Sequence, residues 1–219
     1  MRTKKDIVLL LQRSIFHLKT LRVLFFLPIV LMDVLLPILI ISSYKSNGAG
    51  EMFLVDTKNY CLSILPLSSI FWSVFAMKDY VGEIGVETLF ISKHKIKLLD
   101  FAILLIYQLI NILIIAGIVF TIQKETLPIF IAVFAASLFL FGLSYCLLFY
   151  SKSLTIVIMV DVLYIIASLS VNGVITLFPL YIVNDFITYS NLLSFYLPLG
   201  AIGVVLCGLG VIKNRNSCI

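Results

Sequence analysis

Charge, histidine and paired cysteine are scarce in this chain, and each scarcity removes a class of function. Charged residues make up 12% of the 219 residues, against roughly a quarter in a soluble globular domain. The two histidines, His17 and His94, lie outside the apolar runs, which leaves no imidazole pair for an intramembrane metal site. Cys61, Cys146, Cys207 and Cys218 form no CxxC pair. Three of them sit in or beside apolar runs, where a free cysteine packs as a small hydrophobe, so neither a disulfide framework nor a zinc site is indicated. The GxxxxGK[ST] phosphate loop is missing, so the chain has no such route to ATP hydrolysis. Gly142-Leu143-Ser144-Tyr145 offers a serine in the turn pattern of intramembrane serine proteases, but no histidine follows His94 to serve as its base. The paired glutamates and membrane histidines of prenyl-protein proteases are also absent. No internal repeat or low-complexity segment is present.

What remains is apolar. The hydrophobic fraction is 62% and the mean hydropathy is +1.16. A chain of this composition requires lipid as solvent. Six runs approach the roughly 20 apolar residues that span a hydrocarbon layer: 23–44, 60–77, 101–122, 127–150, 154–171 and 192–212. The first follows a basic stretch, is too long for a signal-peptide core and lacks a small-x-small cleavage site, so it reads as a retained span. Thirteen of the sixteen basic residues fall on one side of these runs: Arg2, Lys4, Lys5, Arg13, Lys19 and Arg22, then Lys78, Lys93, Lys95 and Lys97, then Lys152, Lys213 and Arg215. Lys45, Lys58 and Lys124 fall on the other. The positive-inside rule therefore predicts both termini in the cytoplasm. It also accounts for the net charge of +5 without nucleic-acid binding.

Two regions are neither plain span nor plain loop. Val8, Leu11, Ile15 and Leu18 recur at spacings of three and four, which predicts an amphipathic interfacial helix within residues 1–22. Residues 172–191 are apolar but broken by Asn172-Gly173, Pro179 and Asn184-Asp185, which predicts short re-entrant or interfacial helices on the outer face. The expected fold is thus an all-α integral membrane protein. It has an interfacial segment, 1–22, and a six-span domain, 23–219.

Polar residues within the spans mark candidate sites. Asp33, between Pro28 and Pro37, and Asp161 would each cost on the order of 2.5–3.5 kcal/mol at mid-membrane, so each is expected to face protein or water. They are candidates for a polar path or for packing contacts. Gly200, Gly203, Gly208 and Gly210 give the last span a small face suited to close helix contact. The loop 78–100 is the only sizeable polar segment between spans. Glu83 and Glu87 share a helical face, a like-charge spacing that costs roughly 0.2–0.5 kcal/mol and that a cationic partner would relieve. Lys93, Lys95 and Lys97 suit an anionic inner leaflet.

Glu83, Gly85, Glu87, Thr88, Leu89, Phe90, Ser92, Lys93 and Lys95 together resemble the cytoplasmic segment after the second span in the ATP-binding-cassette (ABC) type-2 permease family, although no proline follows Ser92. The interfacial helix, the six spans with both ends inside and the broken outer helices resemble that family along nearly the whole chain. The resemblance implies a coupling helix, Glu83 to Ser92, resting on a separate cytoplasmic ABC ATPase that binds ATP and Mg, with no cofactor in this chain. It implies a second six-span permease subunit, the same or related, and a path between the two used for export. Tyr181, Asp185 and Tyr189 would sit near an outer gate, and the setting would be the bacterial plasma membrane. The alternatives are an ion-coupled secondary transporter or channel using Asp33 and Asp161, a non-transporting membrane partner, and an enzyme.

Overall fold

The computed structural model describes residues 23–75, 95–170 and 187–216, and among them every regular element is helical. The predicted interfacial helix in 1–22, the motif residues Glu83, Gly85, Glu87, Thr88, Leu89, Phe90 and Ser92, and Tyr181 and Asp185 of the predicted outer gate lie outside the described residues. Helix α1 runs through Val23–Ile29, a π-helical turn Val30–Leu35, and Leu36–Asn47. Then follow α2 (Glu51–Phe75), α3 (Lys95–Ile122), a 3-10 turn (Lys124–Thr126), α4 (Leu127–Ser151) and α5 (Leu154–Ser170). Helix α6 comprises Tyr189–Asn191, a second π-helical turn Leu192–Tyr196, and Leu197–Asn216. Four helical stretches are long and apolar enough to cross a membrane, namely Phe26–Asn47, Ala102–Ile122, Lys124–Ser151 and Tyr189–Lys213; Leu154–Ser168 is apolar but shorter. The chain is an integral membrane protein by this measure.

Helix α2 differs from the sequence reading in extent and in character. It begins at Glu51 rather than Tyr60, so Lys58 lies inside a helix and is buried, not in an outer loop. It also carries Ser68, Ser69 and Ser73, all buried. Each serine hydroxyl donates to the carbonyl three residues back, at 2.6 Å to Leu65, 2.6 Å to Pro66 and 3.0 Å to Ile70. Such local bonds satisfy these three buried hydroxyls within the helix itself, whereas Thr57 Oγ1 of the same helix is buried with no partner among the described residues.

The two π-helical turns share a proline at the same position, although Pro66 of α2 has no such turn before it. Each is followed by a Leu-Pro step, Leu36-Pro37 and Leu197-Pro198. Proline has no N–H, and its ring crowds the carbonyl four residues back, here those of Asp33 and Ser194. Widening the preceding turn relieves that crowding. The leucine before each proline then donates five residues back, Leu36 N–H to the Leu31 carbonyl and Leu197 N–H to the Leu192 carbonyl.

Cross-helix contacts fix the directions of the helices. Ser43 meets Asp56 and Met32 meets Ser68, so α1 and α2 are antiparallel. Ser68 meets Gln108 and Trp72 meets Tyr107, so α2 and α3 are antiparallel. Ser144 meets Asp161 and Phe139 meets Tyr164, so α4 and α5 are antiparallel. Leu54 and Lys58 near the start of α2 share a cavity with Glu125 and Ile129 near the start of α4, so these two run the same way. Helix α4 is the central pillar, packed on α6, α2, α5 and α3, and its buried side chains extend from Pro128 to Phe149.

The α4–α6 seam is the closest contact. Gly200 faces Ala135, Gly203 faces Phe139 and Gly210 faces Tyr145 and Cys146, so the two helices are parallel in step. Gly142 in turn faces the Gly203 carbonyl and the Cys207 thiol. The sequence reading placed Gly208 on the small face as well, but a side chain there would meet nothing within 4 Å. The reason is helical phase: positions 200, 203, 207 and 210 follow the three-four spacing of one stripe, and 208 falls outside it.

Two left-handed residues end helices. Gly48 (φ 66°) closes α1, its N–H donating 2.9 Å to the Tyr44 carbonyl. Lys152 (φ 52°) closes α4, its N–H donating 3.1 Å to the Leu148 carbonyl, although it carries a Cβ. Left-handed backbone costs a non-glycine residue roughly 1–2 kcal/mol. Lys152→Gly is therefore expected to raise the thermal midpoint of the purified protein by roughly 2–4 °C per kcal/mol recovered. A lowered midpoint would mean that Lys152 contributes more through its side chain than its backbone costs.

Candidate functional site

The polar residues inside the bundle gather at two levels. The first joins α1, α2 and α3. Gln108 Nε2 donates 2.8 Å to the Leu65 carbonyl and 2.9 Å to Ser68 Oγ, and Ser68 also touches Met32 Sδ at 3.0 Å. Asn111, one turn along α3, donates 2.9 Å to the Tyr107 carbonyl. Trp72 and Tyr107 meet edge-on at 5.3 Å on the side of this group towards the C-terminal end of α2. Gln108 and Asn111 have no role in the sequence reading above. They are the two amides in an otherwise apolar run, at a spacing that puts them on one helical face, and that was their only signal.

The second level joins α4 and α5. Asp161 is fully buried, and its Oδ2 lies 2.7 Å from Ser144 Oγ. Ser144 Oγ is equally 2.7 Å from the Leu140 carbonyl. Asp161 Oδ1 is buried with no hydrogen-bond partner among the described residues. The turn-like serine of the sequence is thus a helix–helix contact, enclosed on all sides.

The structure does not bring Asp33 and Asp161 together. Asp161 faces the α4–α5 interface, as protein-facing expectation requires. Asp33 lies on the exposed side of α1, in line with exposed Val30 and Val34, while its neighbour Met32 points inward and is fully buried. Among the described residues, the Asp33 carboxylate is therefore left largely exposed.

Where α1 ends and α2 begins, Asp56 Oδ2 accepts from Ser43 Oγ at 2.7 Å and Asn47 Nδ2 at 2.9 Å, tying α1 to α2. Nearby, Leu54, Val55, Lys58, Glu125, Ile129 and Ile187 surround a cavity of about 30 Å³, room for little more than a water molecule. Tyr189, the one member of the predicted outer gate that is described, starts α6 and is exposed. It continues the last helix rather than belonging to a separate broken one. Thr188 caps this start by accepting from the Asn191 N–H at 3.3 Å. At the opposite end, Lys213 Nζ of α6 sits 5.3 Å from the Tyr150 ring of α4. No group of three metal-ligating side chains occurs among the described residues.

Comparison of the chain with family models, curated proteins and solved structures found no match. The functional argument therefore rests on the residues and their arrangement.

Proposed function

We propose that this chain is the membrane-spanning subunit of an ABC transporter, six spans with both termini in the cytoplasm, acting with a separate ATPase and a second permease subunit in export. The carrying observation is the motif from Glu83 to Lys95, with its acidic pair, Thr88-Leu89-Phe90 centre, Ser92 turn and basic exit. The geometry of its anchors supports this reading. Antiparallel α2 and α3 end and begin at Phe75 and Lys95, so both anchors of the motif segment lie at one end of the bundle. Lys152 and Lys213 lie at that same end, and Lys45 and Lys124 at the other, in keeping with a cytoplasmic motif. The exposed Asp33 supports a second subunit, because a carboxylate at membrane depth requires protein or water beside it.

In this mechanism the ATPase dimer closes on ATP and bears on the coupling helix at Glu83 and Glu87. The α2–α3 hairpin and the interfacial segment 1–22 carry the motion to the spans, and the path between two permease subunits opens outward. Coupling of this kind is reciprocal, so the permease conformation also biases nucleotide binding by the ATPase. ATP and Mg are held by the partner.

The test is affinity purification of the tagged full chain from its native membrane in mild detergent, with mass spectrometry of what accompanies it. A stoichiometric ABC ATPase is expected, and Glu83→Lys combined with Glu87→Lys should lower its recovery at least tenfold, about 1.4 kcal/mol of interface energy. A chain that purifies alone in every mild detergent, or an ATPase that stays bound to the double variant, would refute the assignment.

A further inference from the structure

The contact between Ser144 and Asp161 can be read by counting protons. Ser144 Oγ lies 2.7 Å from two oxygens, the Leu140 carbonyl and Asp161 Oδ2. A hydroxyl has one proton to donate. If Ser144 donated to an ionised Asp161, its oxygen would stand 2.7 Å from the Leu140 carbonyl with no proton between them. If it donates to Leu140, the common back-bond of a helical serine, the second short contact requires a proton on Asp161.

The surroundings point the same way. Asp161 has no exposed surface, and its Oδ1 has no partner among the described residues. An ionised carboxylate is an acceptor at both oxygens and would leave one of them bare in an apolar interface. Nor is a countercharge at hand among the described residues. Helices α4 and α5 contain no lysine or arginine, and their other titratable side chains are Tyr145, Cys146, Tyr150 and Tyr164. Helix α2, which also packs on α5, carries Lys58 as its only basic residue, beside Glu51, Asp56, Tyr60 and Cys61. Lys58 shares its cavity with Glu125 and Ile129. Ser144 lies fifteen residues beyond Ile129, roughly 22 Å along a helix axis.

We infer that Asp161 is held as the neutral carboxylic acid and donates to Ser144, which donates to the Leu140 carbonyl, making a protonated latch between α5 and α4. Asp161 is then a positioning residue in this conformation, and its proton is part of the helix–helix contact. The inference is independent of the ABC permease reading, because it concerns one chain and no partner.

Infrared spectroscopy of the full chain in liposomes at neutral pH, with aspartate carboxyl carbons isotopically labelled, tests this. An isotope-shifted carboxylic-acid carbonyl band is expected in the wild-type protein and in Asp33→Asn, which removes the exposed aspartate of α1. The band should vanish in Asp161→Asn and move towards the position of a free acid in Ser144→Ala. Asp161→Asn, whose Nδ2 can replace the acid proton as donor, should keep the thermal midpoint, whereas Asp161→Leu should lower it. A wild-type spectrum with only carboxylate bands from aspartate would overturn the inference even if the variants failed to fold. So would a carboxylic-acid band that disappears in Asp33→Asn.

Discussion

Gly203→Val is expected to disrupt the bundle, while Gly208→Val, five residues further along the same helix, leaves it intact. A Cβ at Gly203 would stand 2.6 Å from Phe139 Cα, 2.7 Å from Phe139 N and 2.8 Å from the Leu138 carbonyl carbon. All three are backbone atoms of the central helix, so no side-chain rotation can make room. Lipid supplies little hydrophobic drive to hold two helices together, and close backbone approach through small residues must hold them instead. A substitution that forces α4 and α6 apart therefore loses the contact it enters. Overpacking typically costs 1–3 kcal/mol, and rigid neighbours put this case near the upper figure. At about 3 kcal/mol the thermal midpoint should fall by roughly 6–12 °C, a large part of a total stability on the order of 5–15 kcal/mol. Trp72 is the only tryptophan of the chain and is buried, so its fluorescence follows the loss of structure, with size-exclusion chromatography after heating as the second measure. Equal midpoints for Gly203→Val and the parent would remove the α4–α6 seam from the account of stability.

These two glycines also show how far the sequence could be read. The presence of a small face on the last span was legible, because glycine is conspicuous in an apolar run. Which glycines form it depends on the phase of the partner helix, and Ala135, Phe139 and Gly142 of α4 sit far away in sequence. Four of the six expected spans coincide with helices long and apolar enough to cross a membrane, and they were legible for the same physical reason, since about 20 apolar residues leave few alternatives to a buried helix. Helix α2 was read too short because Asp56, Lys58 and Asn59 look like loop, whereas packing between α1 and α4 lets a polar helix persist. Hydropathy reports exposure to lipid and underrates helices sheltered by others. The two aspartates looked alike in sequence, each an acid in an apolar run. Only the contacts separate Asp161, enclosed beside Ser144, from Asp33, exposed on α1. The π-helical turns were not legible: Leu65-Pro66 is the same dipeptide as Leu36-Pro37 and Leu197-Pro198, yet it lies inside an uninterrupted α-helix, and proline alone leaves a kink, a break and a widened turn equally open.

The other large effect is expected at Trp72. Its indole is 1% exposed and meets the Tyr107 ring edge-on at 5.3 Å and 80°. Emptying a buried tryptophan site to alanine costs about 3–5 kcal/mol, so Trp72→Ala should lower the thermal midpoint by roughly 6–20 °C. Trp72→Phe keeps a ring against Tyr107 and should lose far less, since an edge-on aromatic pair contributes about 0.5–1.5 kcal/mol beyond burial. The position gives the comparison functional weight. Trp72 lies one turn from the end of α2 and one turn beyond the Ser68–Gln108 contact, so it braces the hairpin just where the motif segment joins it. On the proposed coupling role, a force applied at Glu83 and Glu87 would reach the spans only if α2 and α3 moved as one body. On that proposal, ATPase recovery with Trp72→Phe should match the parent, and any ATP-driven transport should be retained. Circular dichroism and the midpoint of Trp72→Ala, set beside its ATPase recovery, separate a loosened hairpin from a lost docking surface. A Trp72→Ala protein with the parent's midpoint would show that the ring contact does not brace the hairpin, and the Ser68–Gln108 bonds would then have to carry the motion alone.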